Sequence, residues 1–385
     1  MNVVFLSPDF PPNYVNFSIR LRQAGATVLG ISDQPYDSLK PELRAALHEY
    51  YRVSDLHQYD ELVRALGYFT HRYGKIDRLD SLNEYWIETE ARLRTDFNIE
   101  GFRAADLPGI KRKSEMKRLF RRAGVNVVPG KVVRTPAQAR NFVAEVGYPV
   151  VAKPDIGVGA SKTYKITNPT ELEDFVSRPL VDYFMEAFVE GTINTFDGLT
   201  DRSGNLVFYT SMQYSRGIME IVNEDDDVFY YTQREVPADL EAAGRAIVRA
   251  FKVRERFFHF EFFRTPAGEL VALEVNMRPP GGLSIDMFNF ANDIDLYREW
   301  ATVLTADRFA ATYNWPYFIC YVGRKSHKQY RLSHGELIER FGTKIVNHQP
   351  MPAVFHVAMG DYGYLLRSTD RDEVIAIAHE IQARA

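Results

Sequence analysis

Between Phe258 and Gly282 the chain reads FHFEFF, a turn at TPAGE, then LVALEVNMRPPGG. Side chains alternate between faces along a strand, so a hairpin closed over Pro266, Ala267 and Gly268 sets Glu261 on one strand beside Glu274 and Asn276 on the next. Glu274 and Asn276 are two residues apart and share a face. Glu274 interrupts an apolar run, and an unpaired carboxylate near a core is costly, so this polar face calls for a partner. Two carboxylates and an amide oxygen are hard ligands of the kind Mg²⁺ takes when it also holds substrate phosphates. Arg278 follows the strand, where its planar fork can reach a phosphate or a carboxylate. The competing reading is an exposed hairpin with surface carboxylates.

The chain as a whole is expected to form two or three packed lobes, because 385 residues with 45% hydrophobic content exceed one ordinary core. NVVFLS, TVLGIS, YYRVS and RLDSLN read as strands separated by amphipathic segments such as YDELVRALGYFTHRYG, which predicts a parallel α/β lobe over residues 1–108. Its first strand runs into SPDFPPNYVN, without the G-x-G-x-x-G turn of a dinucleotide fold. Asp106-Leu-Pro-Gly109 reads as a turn, followed by a helix in KRKSEMKRLFRRAG that stops at Gly124. Residues 109–190 read as helix, strand, helix, strand, glycine-rich loop, strand, helix and strand. Residues 191–385 read as several strands with one long helix over 238–252, then a strand at YFICYVG, a short helix, further strands and a final helix from Asp370. The predicted class is thus mixed α/β and α+β.

Two further stretches bear on chemistry. Lys153 closes the apolar strand GYPVVAK and precedes Asp155-Ile-Gly157-Val-Gly159-Ala-Ser161, where glycine amides can approach phosphates closely. The Walker spacing is absent, and taken alone a strand-end lysine with two glycines is more often a plain turn. Met185-Glu186-Ala187-Phe188-Val189-Glu190-Gly191 is a strand entering a glycine turn; its edge can pair with an adenine while Phe188 and Val189 line it, or Phe188 can simply fill a core.

Other signals exclude functions. A net charge of −4 and a pI near 6.2 provide no field for phosphate backbones, so no nucleic acid partner is expected. Cys320 is the only cysteine, which rules out an internal disulfide and the multi-cysteine zinc site that the H-x-E spacing of His259 and Glu261 would otherwise suggest. Cys320 itself is expected to be a buried small hydrophobe. No run of about 18 uncharged apolar residues occurs and the start lacks a basic region followed by an apolar stretch, so a soluble cytoplasmic protein without a membrane partner is expected. The acidic run Glu224 to Asp227 and the basic run Gly323 to Lys328 read as solvated loops.

In this order and spacing the elements resemble the ATP-grasp superfamily over residues 80–285, in its carboxylate-amine ligase type, similar to the biotin carboxylase, carbamoyl-phosphate synthase and D-Ala-D-Ala ligase kind. The resemblance implies an ATP-grasp fold preceded by a pre-ATP-grasp lobe, a lid subdomain over 109–190 and a larger subdomain beyond. Lys113, eleven residues before Gly124, and Lys153 look like the two phosphate-binding lysines. Gly157, Gly159 and Ser161 resemble the glycine-rich loop, and Glu186, Ala187, Phe188 and Val189 the adenine hinge. Glu261, Glu274 and Asn276 match the magnesium ligands, and Arg278 the arginine of E-x-N-x-R-x-x-G-G. The chain departs from the family after Gly191, where an acidic ribose ligand is missing; Asp197 or Glu190 stands in. Arg216 is the candidate for a basic residue near the phosphates. ATP and Mg²⁺ are the implied cofactors. The implied reaction joins a small-molecule carboxylate to an amine, amino acids among them, through an acyl phosphate; carboxylase or kinase chemistry, or a non-catalytic ATP-binding regulator, are the alternatives. A homodimer stands as an open expectation.

Overall fold

The computed structural model describes residues 1–157, 162–217, 221 and 224–385. Gly159 and Ser161, expected in the glycine-rich loop, lie outside the described residues.

The first sheet is parallel and contains β1 (Asn2–Leu6), β2 (Thr27–Ser32), β3 (Glu49–Arg52) and β4 (Arg78–Asp80) in the order β3-β2-β1-β4. Strand alternation divides β1 between two cores. Val4 and Leu6 meet Leu62, Leu66 and Phe69 of the helix Tyr59–Tyr73, whereas Val3 and Phe5 enter a core shared with Trp300 and Tyr297 far down the chain. This shared core fixes the first sheet against the rest of the protein.

The second sheet holds β5 (Gly130–Val133), β6 (Val150–Pro154), β7 (Tyr164–Ile166) and β8 (Tyr183–Ala187), all paired antiparallel in the order β5-β8-β6-β7. The helices Pro136–Val146 and Pro169–Val176 contribute Phe142, Leu172 and Phe175 to its core. Both begin with proline in the first turn and a side-chain cap, Thr135 accepting from the Gln138 amide and Asn168 from the Glu171 amide. The element order matches the sequence reading.

Asp106-Leu-Pro-Gly109 is not a turn. It opens a short helix, Leu107–Lys111, because Pro108 sits in the first turn, where its missing N–H has no partner to lose. After a break at Arg112 comes the helix Lys113–Arg122, whose Met116 and Phe120 pack against Phe258, Phe260 and Phe262. This helix precedes the second sheet in sequence but lies on the third.

The third sheet comprises β9 (Thr192–Thr200), β10 (Leu206–Thr210), β11 (Met212–Tyr214), β12 (Phe229–Thr232), β13 (Phe257–Arg264), β14 (Leu270–Asn276), β15 (Phe318–Arg324), β16 (Ile345–Pro350) and β17 (Tyr362–Ser368). Its order is β14-β13-β9-β11-β12-β15-β17-β16, with β10 also on β9. One face carries the helices Ala238–Ala250 and Arg371–Gln382. The other is covered by Ser284–Asn292 and Leu296–Ala306, two helices absent from the sequence reading. They bury Ile285, Met287, Phe288, Leu296, Trp300 and Leu304; on the second, the less buried Arg298, Thr302 and Thr305 keep helical spacing and were a usable signal.

Cys320 is fully buried on β15. The acidic and basic runs are exposed in part, as expected of solvated loops, but they pair with each other. Asp225 pairs with Lys325 at 2.8 Å and His327 at 2.7 Å, and Asp227 with Lys328 at 3.3 Å and Arg384 at 2.8 Å. Strand register explains the encounter: Phe229 lies opposite Val322, so the start of β12 and the end of β15 emerge together.

Candidate active site

A cavity of about 630 Å³ lies where the three sheets meet. Its lining includes the apolar Val151, Phe188, Ile193, Val271 and Leu273 and the charged Lys113, Lys153, Glu186, Glu261, Glu274 and Arg278.

The hairpin of β13 and β14 forms as the sequence suggested. Glu261 lies directly opposite Glu274, and Asn276 is opposite His259. The turn needs Gly268, whose φ of +84° suits glycine. Glu261 is held by His259 Nε2 at 3.1 Å, and His259 Nδ1 meets Asp197 at 2.5 Å. Burial would lower the His259 pKa, but Asp197 on one side and Glu261 on the other raise it to about 9. Burial would likewise raise Glu261, yet His259, then Arg278 and Lys153, hold it below its ordinary value.

Lys153 closes β6 at the cavity and its Nζ contacts Glu186 Oε1 at 2.6 Å. The other oxygen of Glu186 lies 3.0 Å from Lys117 Nζ. Although burial opposes ionisation, the two lysines pull the Glu186 carboxyl down to about 2. Lys113 Nζ lies 3.7 Å from Glu274 and donates to the Gly157 carbonyl at 3.4 Å. Opposite charges therefore interleave across the cavity floor, and the lysines sit where a polyanion can displace their carboxylate partners.

Most of the expected residues converge here: Lys113, Lys153, Gly157, Glu186, Ala187, Phe188, Val189, Glu261, Glu274, Asn276 and Arg278 all line the cavity. Phe188 lies past the end of β8, half-buried under Lys165, instead of filling a core. Gly191 follows because a Cβ there would stand 2.5 Å from the Arg264 carbonyl.

Two candidates do not come to the cavity. Asp197 is fully buried within β9, bonded to Thr195 and His259, because its position on the strand shares the face of His259. Of the two ribose candidates, only Glu190 reaches the cavity wall. Arg216 is turned away as well, bound to Glu224 at 3.2 Å and to Asp226. Conversely, Lys117 and Glu84 line the cavity and went unnoticed in the sequence. Lys117 lies four residues after Lys113, hence on the same helix face, so helical spacing was a usable signal. Glu84 offered none.

Residues 112–278 match the family model of the carbamoyl-phosphate synthase L chain, ATP binding domain. The fold is similar over 99% of this chain and 96% of the other to an L-amino acid ligase from Bacillus licheniformis, with a TM-score of 0.76 at 14% identity. The matched segment is an ATP-binding domain, and the fold is the ATP-grasp fold. A second likeness is N5-carboxyaminoimidazole synthetase from Staphylococcus aureus, with a TM-score of 0.71 at 14% identity, covering 99% of this chain and 97% of that one. The L-arginine-specific L-amino acid ligase of Bacillus subtilis is 24% identical over 246 residues, 59% of this chain and 60% of that protein's length. The first sheet precedes the ATP-grasp segment as a separate parallel layer. No helix among the described residues is long and apolar enough to cross a membrane.

Proposed function

We propose that this ATP-grasp protein is a carboxylate-amine ligase that uses ATP and Mg²⁺, forms an acyl phosphate, and releases ADP and phosphate. The observation that carries the reading is the meeting, in one cavity, of two lysines from different segments, a facing pair of carboxylates with Asn276, and Arg278. The likeness to two amino-acid ligases supports an amino acid among the substrates.

The residues present suit Mg²⁺. Glu261, Glu274 and Asn276 supply three hard oxygens on one face, the kind of partial set that Mg²⁺ completes with phosphate and water. When bound, Mg²⁺ supplies charge neutralisation between phosphate oxygens. Lys113, Lys153 and Arg278 place further positive charge around the transferring phosphoryl group, so catalysis rests on positioning and preorganised charge. Adenine fits the apolar Val151, Phe188, Ile193 and Leu273, and Glu190 the ribose. Gly281 and Gly282, following Arg278, offer backbone amides to the substrate carboxylate. We assign residues 1–108 as the pre-ATP-grasp lobe, 109–190 as the lid and 191–385 as the larger lobe, with the helix Lys113–Arg122 packed on the larger lobe's sheet.

The test is interception of the acyl phosphate. Enzyme, MgATP and each of the twenty L-amino acids or bicarbonate are incubated with hydroxylamine, and ¹⁸O-labelled acid is followed into phosphate. A hydroxamate together with labelled phosphate is the expected result. A stable phosphorylated product without labelled phosphate would mean a kinase, bicarbonate as the one active acid would mean a carboxylase, and release of AMP would refute the mechanism.

A further inference from the structure

Glu84 lies in the main cavity, yet the nucleotide and metal roles leave it unused. It sits on the connection between β4 and the helix Ile87–Asp96 and is 8% exposed. Its Oε1 accepts from Lys111 Nζ at 3.3 Å. Its Oε2 is buried without a hydrogen-bond donor, with the Arg278 guanidinium 3.7 Å away. A buried carboxyl oxygen left without a donor is costly, which points to a ligand that supplies one.

The connection is built to hold this side chain still. Ser81 N donates to Glu90 Oε1 at 2.7 Å, Asn83 N to Ser81 Oγ at 3.1 Å, and Tyr85 N to Asn83 Oδ1 at 2.9 Å. Glu90 is itself fully buried and tied to Arg94 at 2.8 Å and to Arg256, which leads into β13, at 3.3 Å. The first lobe therefore presents one fixed carboxyl oxygen to a cavity whose other charged groups come from the ATP-grasp segment.

We propose that Glu84 Oε2 receives the ammonium group of the incoming amine substrate and takes its proton. This rests on the ligase reading and names the substrate class as a primary amine that is protonated in solution. One proton passes from the ammonium to the Glu84 carboxylate and exposes the nitrogen lone pair. The C–N bond forms, the bond from the acyl carbon to the phosphate oxygen breaks with its electron pair leaving on phosphate, and the second proton shed by the nitrogen departs with that phosphate.

Hydroxylamine is largely neutral at pH 7 and needs no such acceptor, so it separates the two steps. Wild type, Glu84→Gln and Glu84→Asp are assayed with MgATP and pairs of the twenty L-amino acids, following amide, hydroxamate and ADP. Glu84→Gln is expected to keep its hydroxamate rate within about twofold, while kcat/KM for the amine falls about 100-fold. Its residual amide rate should rise with pH as free amine accumulates, and Glu84→Asp should recover part of the loss. Melting temperature and ATP binding check the fold of both variants. Loss of hydroxamate and amide together in a folded, ATP-binding variant would overturn the inference, as would retention of both. If wild type yields neither product from any pair, the ligase reading itself fails and takes this inference with it.

Discussion

Replacing Glu186 by Gln removes the charge shared by two buried lysines while keeping the size of the side chain. Glu186 is 5% exposed, with Lys153 at 2.6 Å and Lys117 at 3.0 Å. Its carboxyl is held at about 2 against an ordinary 4.5, and at about 1.4 kcal/mol per pH unit this difference corresponds to about 3 kcal/mol of folding stability. Breaking a buried pair by removing one partner typically costs about 3–5 kcal/mol, which agrees. Because the folded value is depressed, the contribution is present above pH 4.5 and is lost as pH falls through about 2. Urea unfolding, followed by fluorescence at pH 7 and pH 3.5, reads both quantities. Glu186→Gln should be less stable by about 3 kcal/mol at pH 7, and the gap should narrow by about 1.4 kcal/mol at pH 3.5. A gap below about 1 kcal/mol that does not change with pH would refute the claim that this one carboxylate neutralises both lysines.

Glu274→Gln keeps the shape of the hairpin but removes one of its facing charges, so turnover should fall by about 100-fold or more while the melting temperature holds; wild-type activity at low millimolar Mg²⁺ would contradict the metal assignment. Lys113→Met and Lys153→Met should each weaken ATP binding in titration calorimetry by about tenfold or more, since each removes a point charge from the cavity floor and keeps the stem. Gly244→Ala should destabilise by about 1–3 kcal/mol in thermal unfolding, because its Cβ would stand 2.1 Å from the Phe196 ring beneath the helix Ala238–Ala250.

Local chemistry was legible in the sequence wherever a strand or turn fixes it. Period-two alternation alone brought Glu261, Glu274 and Asn276 together, since hairpin register follows from the turn and the pleat. Lys153 at the end of an apolar strand was equally readable, as was the order of elements through the second sheet. Asp197 and Arg216 were misplaced for a reason that is not local. Whether a carboxylate on a strand faces a cavity or a buried histidine depends on which strand lies beside it, and β9 is paired with β13 across more than fifty residues of chain. Arg216 likewise lost its expected place to Glu224 and Asp226, partners that the sequence had set down as solvated.

By itself, then, the sequence determined the hairpin with its polar face and the lysine near the end of β6, because each depends on residues close to one another along the chain. Only the tertiary structure decided that Lys117 and Lys153 share Glu186, that Asp225 and Asp227 meet Lys325 and Lys328, and that Glu84 enters the cavity with one oxygen unmatched. The encounters of Asp225 and Asp227 join segments 100 and 101 residues apart. Electrostatic partnership falls off over a few ångströms of space, and distance along the chain carries no information about it until the cores on either side have closed.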